Sequence, residues 1–256
     1  ALMHTVKISI PEETISKIVR CVEYAVGDDI REDIQRNDLQ THNSVPSRIW
    51  DLLNTNIIKT ISTSECTIAK AHRGPWEMLV VFENTSQCII TFMREKRFAE
   101  IQKKQRKRSK MHYVDMLAKQ FNSELLSDYT QLSIIPEPHK FSDDDKLSEL
   151  IRTMLAELSG DVDVVRNHIL VLFDTTGFNL THIRAVMVTP TLEIASGCDE
   201  NWSRFISGYE SVVEKVSNPI APENQPNRGL KLTPKAIARK KNKPEYKNTE
   251  ESIKKA

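Results

Sequence analysis

The chain has 256 residues, and its 36 Lys plus Arg nearly balance 35 Asp plus Glu, for a net charge of +1. That length can bury one large core or two small ones, and 39% hydrophobic with 28% charged residues suits a globular protein with some extended chain. Several classes are excluded at once: the apolar runs Met78–Phe82 and Ile169–Phe173 are far shorter than a membrane helix, no GxGxxG or GxxxxGK[ST] occurs, and the four cysteines form no CxxC pair.

The N-terminal third reads as helical. Pro11 suits a first helical position, with Glu12 and Glu13 in the first turn, where they favour the helix dipole. Ile15, Ile18, Val19, Val22 and Val26 follow at helical spacing, and Gly27 ends the run. Asp28 to Leu39 is charged with sparse apolar positions, a short exposed helix. A third helix after Pro46 carries Ile49, Trp50, Leu52, Leu53 and Ile57.

The period then changes. Trp76–Glu83 and Cys88–Met93 predict two strands joined by the polar loop Asn84–Gln87, with an earlier strand at Cys66–Ala69 before a turn at Gly74-Pro75. One helix is predicted from Arg94 to about Leu126. A linker with Pro136, Pro138 and His139 follows. Ser142 caps a further helix, which starts with Asp143, Asp144 and Asp145 and ends at Gly160. A second hairpin with a longer loop pairs His168–Phe173 with His182–Val188, and Asp174 reads as a turn residue. A last helix runs from Trp202 to Val216. Residues 217–256 hold five of the 11 prolines and read as a flexible basic tail.

The expected fold class is therefore α+β: two β-hairpins form a mostly antiparallel sheet packed with about five helices, followed by the basic tail. Residues 1–216 form one domain in this reading, with 134–141 the place for a split into 1–133 and 140–216.

Charge is unevenly distributed. The segment 94–110 holds nine bases, Arg94, Lys96, Arg97, Lys103, Lys104, Arg106, Lys107, Arg108 and Lys110, against two acids, a net of +7. Residues 217–256 hold ten bases against four acids, a net of +6, with Arg239, Lys240 and Lys241 adjacent; the remaining chain carries −12. Bases packed along one segment repel each other unless an anion or an acidic surface offsets them. A phosphate backbone would do so by counterion release. The expected partner is thus nucleic acid, RNA or DNA. The alternative is a non-enzymatic protein–protein or self-assembling protein that uses opposed acidic and basic surfaces. No zinc finger, leucine zipper, KH loop or RNA-recognition motif accompanies the bases.

Candidate chemistry centres on His72, Arg73 and His112. Two histidines can move protons near neutral pH, and an arginine can hold a phosphate. Together they would serve a metal-free RNA-cleaving site, of the kind a small toxin or phage-defence effector uses. The competing expectation is an ordinary turn at His72-Arg73 and an ordinary helix start at His112. A metal-dependent nuclease fits less well. Glu77 and Glu83 supply strand carboxylates, but Glu95 and Lys96 are adjacent, so they would face opposite sides of a strand. No metal, cofactor or membrane span is predicted, and the scattered cysteines suggest reduced thiols in the cytoplasm.

Overall fold

Six strands form one mixed sheet in sequence order. The computed structural model of the chain describes residues 6–62, 65–73, 76–125 and 164–208; the side chains of His72, Arg73, Trp76 and Arg106 lie outside the described set. All of these residues belong to the first of two units, Ala1–Val213; the second, Glu214–Ala256, lies outside them.

Three helices come first: α1 (Glu12–Val26), α2 (Asp28–Arg36) and α3 (Val45–Ile61). On α1 the spacing of Ile15, Ile18, Val19 and Val22 makes one apolar stripe, and all four are buried. On α3 the buried residues Ile49, Leu53, Ile57 and Ile61 recur every fourth position. Both stripes pack on one face of the sheet, against Leu79, Val81, Ile90, Phe92, Ile169, Val171, Phe173 and Ile183.

The sheet contains β1 (Cys66–Arg73), β2 (Trp76–Glu83), β3 (Cys88–Arg94), β4 (Asn167–Thr176), β5 (Asn179–Val188) and β6 (Ile194–Asn201). Neighbours pair antiparallel except β3 and β4, which run parallel. A parallel pair needs a crossover, and the chain between these strands supplies α4 (Glu95–Lys103) and α5 (Tyr113–Phe121). Phe98, Ile101 and Val114 of these helices pack against Met93, Leu170, Leu172 and Val186. Leu117 and Phe121 meet Val80, Phe82 and Ile89. Alternate residues of the central strands therefore reach two different helical layers. This explains why β3 and β4 read as unbroken apolar runs.

The structure departs from the sequence reading in several places. The single helix predicted over 94–126 is two helices, separated by a 3₁₀ turn at Gln105–Lys107 and an irregular stretch. Five bases crowd this break, and Arg108 leaves the helical path to pair with Asp115 of α5. β4 and β5 continue past their predicted ends to a two-residue connection, where Gly177 takes φ +60°. Asp174 is thus a strand residue beside a register shift. β1 extends beyond Ala69 to Arg73, so His72 and Arg73 end a strand. Strand β6 was not anticipated. Within the described residues, Trp202 precedes a 3₁₀ turn at Ser203–Phe205 instead of opening a long helix. The predicted linker at 134–141, the helix begun by Ser142, and the tail with Arg239, Lys240 and Lys241 all lie outside the described residues.

A polar knot lies under α5. The fully buried Asn122 follows the helix, and its Nδ2 donates to the carbonyls of His168 and Val188 at 2.9 and 3.0 Å. Its Oδ1 accepts from His168 N at 2.9 Å. The His168 ring, fully buried, shares a hydrogen bond with Thr91 Oγ1 at 2.8 Å. Burial pushes its pKa down from the ordinary 6.5 to about 3. Above pH 6.5 the ring is neutral both folded and unfolded, and pH has no leverage through it. Between pH 6.5 and 3 only the unfolded chain takes up the proton, so this residue removes about 1.4 kcal/mol of stability per pH unit. Urea melts between pH 7 and pH 4 are expected to show that loss, and His168→Gln should flatten it.

Candidate nucleic-acid interface and adjoining cleft

Three of the predicted phosphate-contact residues have partners inside the protein. Arg108 makes a two-pronged pair with the buried Asp115, at 2.8 and 2.9 Å. Arg97 pairs with Glu100 of its own helix at 3.1 Å. Arg94 turns its guanidinium over the Phe173 ring, 4.8 Å from the centroid, and donates to Thr175 Oγ1 at 2.7 Å.

The lysines behave differently. Lys96, Lys103, Lys104, Lys107 and Lys110 are all exposed, and none joins an ion pair among the described residues. Phe98 and Ile101 bury the inner side of α4. At 3.6 residues per turn, Lys96 and Lys103 lie within roughly 20° of each other on its outer side. Lys104, Lys107 and Lys110 follow along the chain past the helix end and are exposed as well. The acids of this segment are already engaged: Glu100 by Arg97, and Glu95 by Arg184 of β5 at 2.5 Å. Among the described residues, these five positive charges on one stretch of chain, a lysine ridge, therefore have no ion-pair partner.

Beside the ridge, where β3 passes into α4, lies a cleft of about 390 Å³. Trp50 and Asn54 of α3, Glu77 of β2, Arg94 and Arg97 at the start of α4, and His112 and Tyr113 at the start of α5 line it. The position outside the carboxyl end of a parallel strand is where open sheets with helices on both faces generally hold ligands. Trp50 stands edge-on to Phe173 at 5.8 Å, which fixes the wall under Arg94. His112 caps α5: its Nδ1 accepts from Val114 N at 3.4 Å, and its own N–H donates to Asp115 at 2.8 Å. Its ring lies 4.4 Å from that of Tyr113, whose hydroxyl donates to Phe92 O at 3.1 Å. Proton transfer by Glu77 and His112, with anion binding by Arg94, is the chemistry this arrangement can support.

Of the three predicted catalytic residues, His112 lines this cleft. His72 stands opposite Glu77 in the β1–β2 register, and Arg73 opposite Trp76. Sequence reasoning weighed base stacking by Trp50 against core packing and favoured packing, took Tyr113 only as the neighbour of His112, and passed over Asn54. Glu77 was considered only as a metal ligand. Glu83 is fully buried, and its carboxylate accepts from the backbone N–H groups of Thr85 and Ser86 at 3.1 and 2.6 Å. It locks the β2–β3 turn. With Glu95 held by Arg184, neither acid is available for the metal-dependent alternative. Among the described residues no group of three or more His, Cys, Asp or Glu is placed to hold a metal ion. The four cysteines are free and buried, and no helix among the described residues is long and apolar enough to cross a membrane.

A larger cleft of about 610 Å³ lies between α1, α2 and the β4–β5 connection. Its polar groups serve the fold. Arg31 donates to Phe178 O and to Asn179, and Glu23 accepts from Ser207.

Fold and site together define an α+β protein with a lysine ridge beside an arginine- and aromatic-lined cleft. The chain belongs to DUF5986, a family of unknown function, whose model matches residues 7–252. No curated protein and no solved structure matches it.

Proposed function

We propose that this protein binds nucleic acid, with Lys96, Lys103, Lys104, Lys107 and Lys110 contacting successive phosphates. The observation that carries the reading is that these five lysines are exposed on one segment and join no ion pair among the described residues, while its acids are engaged elsewhere. Self-repulsion on such a ridge is relieved when counterions are exchanged for phosphates, which favours a polyanion. Arg106 belongs to the same segment and adds a further charge to it. The test is fluorescence anisotropy with single-stranded and duplex oligonucleotides over a salt series. Binding that weakens steeply with salt is expected, and no binding at low salt rejects the reading.

The RNA-cleaving extension rests on position. His112, Glu77 and Arg94 share the cleft, and His72 with Arg73 ends the neighbouring strand. A proton acceptor, a proton donor and a phosphate holder are what metal-free cleavage at a 2′-hydroxyl requires. Labelled RNA incubated in chelator with wild type and with His112→Ala decides it. Cleavage lost in the variant supports the assignment, and RNA left intact by the wild type restricts the protein to binding.

A further inference from the structure

We propose that the cleft between α3, β2 and the starts of α4 and α5 holds one nucleoside monophosphate unit, its phosphate on Arg94 and its base against the aromatic wall. The proposal deepens the nucleic-acid reading and rests on it. It also reaches a ligand that the lysine ridge alone could not distinguish.

Arg94 carries the argument. A guanidinium has five N–H donors and cannot shed its charge, so a partly buried arginine ordinarily has a carboxylate partner. Among the described residues, Arg94 has one side-chain hydrogen bond, to Thr175, plus the ring of Phe173, and no ion pair. Burial lowers its pKa, and the nearby Asp174 raises it without bridging to it. A partly desolvated cation facing a cleft, with donors to spare, is complementary to an anion of matching geometry. A phosphate oxygen pair fits that fork. Arg97, three residues on, lines the same cleft and adds a second guanidinium there, paired with Glu100.

The rest of the lining argues for a nucleotide over a bare anion. Trp50 and Tyr113 line it, and aromatic rings are the side chains on which bases stack. Asn54 carries both a donor and an acceptor for a base edge. The cleft volume of about 390 Å³ falls within the range that small organic ligands occupy. Position adds a further reason. Along α4, Lys103 stands about 14 Å from Arg94 at ~1.5 Å per residue. That span accommodates several successive phosphates of one strand. A terminal nucleotide could sit in the cleft while the strand behind it runs along the ridge.

The chemistry is shared by a free mononucleotide and a chain end carrying a phosphate, and the experiment separates them. Adenosine 5′-monophosphate, adenosine and inorganic phosphate are titrated into the full chain by calorimetry, alongside short oligonucleotides with and without a 5′-phosphate. The monophosphate is expected to bind, and more tightly than either adenosine or phosphate alone. Preference for the 5′-phosphorylated oligonucleotide over the unphosphorylated one assigns the site to a chain end, and equal affinity assigns it to the free nucleotide. Arg94→Gln should weaken the monophosphate between about tenfold and a hundredfold. Arg97→Ala and Trp50→Phe should each weaken it by a smaller factor, and they serve as well if Arg94→Gln fails to fold. Changing Lys103, Lys104 and Lys107 to glutamate should leave monophosphate binding intact while oligonucleotide binding weakens by about a hundredfold or more. Monophosphate binding without oligonucleotide binding by the wild type would sink the ridge and spare the cleft. Absence of monophosphate binding to the wild type, or unchanged binding in all three cleft variants, overturns the proposal.

Discussion

Asn122→Ala is expected to destabilise the protein by about 3 kcal/mol or more in urea unfolding followed by circular dichroism. The side chain is fully buried and serves the carbonyls of His168 and Val188 and the N–H of His168. Truncation leaves those groups without this partner where water does not reach, and each such loss costs about 1–3 kcal/mol. Asn122→Asp is the sharper variant. It keeps the acceptor for His168 N but loses both donors, and it sets a carboxylate against two carbonyl oxygens. A loss below about 1 kcal/mol for either variant would mean the knot is not what ties α5 to the sheet. The consequence reaches the site, because the start of the same helix carries His112 and Tyr113. Loosening its far end should blunt nucleotide binding without touching a single cleft residue.

The second large effect concerns the ridge. Changing Lys103, Lys104 and Lys107 together to glutamate should weaken oligonucleotide binding by about a hundredfold or more at low salt. Three attractions become three repulsions, so the change in charge is twice that of neutralisation. Stability should barely move, since all three side chains are exposed and make no ion pair among the described residues. Unchanged melting with lost binding distinguishes an interface from a structural role. Unchanged binding would return the lysines to the status of a solvated surface.

How much of this was legible beforehand depended on the range of the interactions. Strands β2 and β3 were readable because each is an apolar run of strand length, and a polar turn separates them. Helices α1 and α3 declared themselves by local spacing. Strand β6 did not, because an edge strand covered on one face needs few apolar residues; among its members only Ala195 and Cys198 are buried. The start of α5 was read at His112, but only as the competing expectation to a catalytic histidine. Its cap is a histidine whose N–H is held by Asp115, where the familiar signal is Ser, Thr, Asp or Asn.

The basic segment shows the limit most clearly. By composition its bases look alike. Arg108 was claimed by Asp115, seven residues on, and Arg94 by Phe173 and Thr175, about eighty residues away in sequence. No local pattern separates these from the five lysines that remain exposed. The cleft was invisible for the same reason, since its walls come from α3, β2, β3, α4 and α5. His112 and the predicted phosphate contacts Arg94 and Arg97 line it, and His72 is linked to it through its register partner Glu77.

The central claim is that the lysine ridge is a phosphate-contacting surface. Its most direct test is the slope of log affinity against log salt for a single-stranded oligonucleotide, in wild type and in the triple lysine-to-glutamate variant. Five phosphate contacts predict a slope of roughly −3 to −4 for the wild type, and the loss of three should reduce it by about two. A wild-type slope near zero, or the same slope in both proteins, would contradict the account.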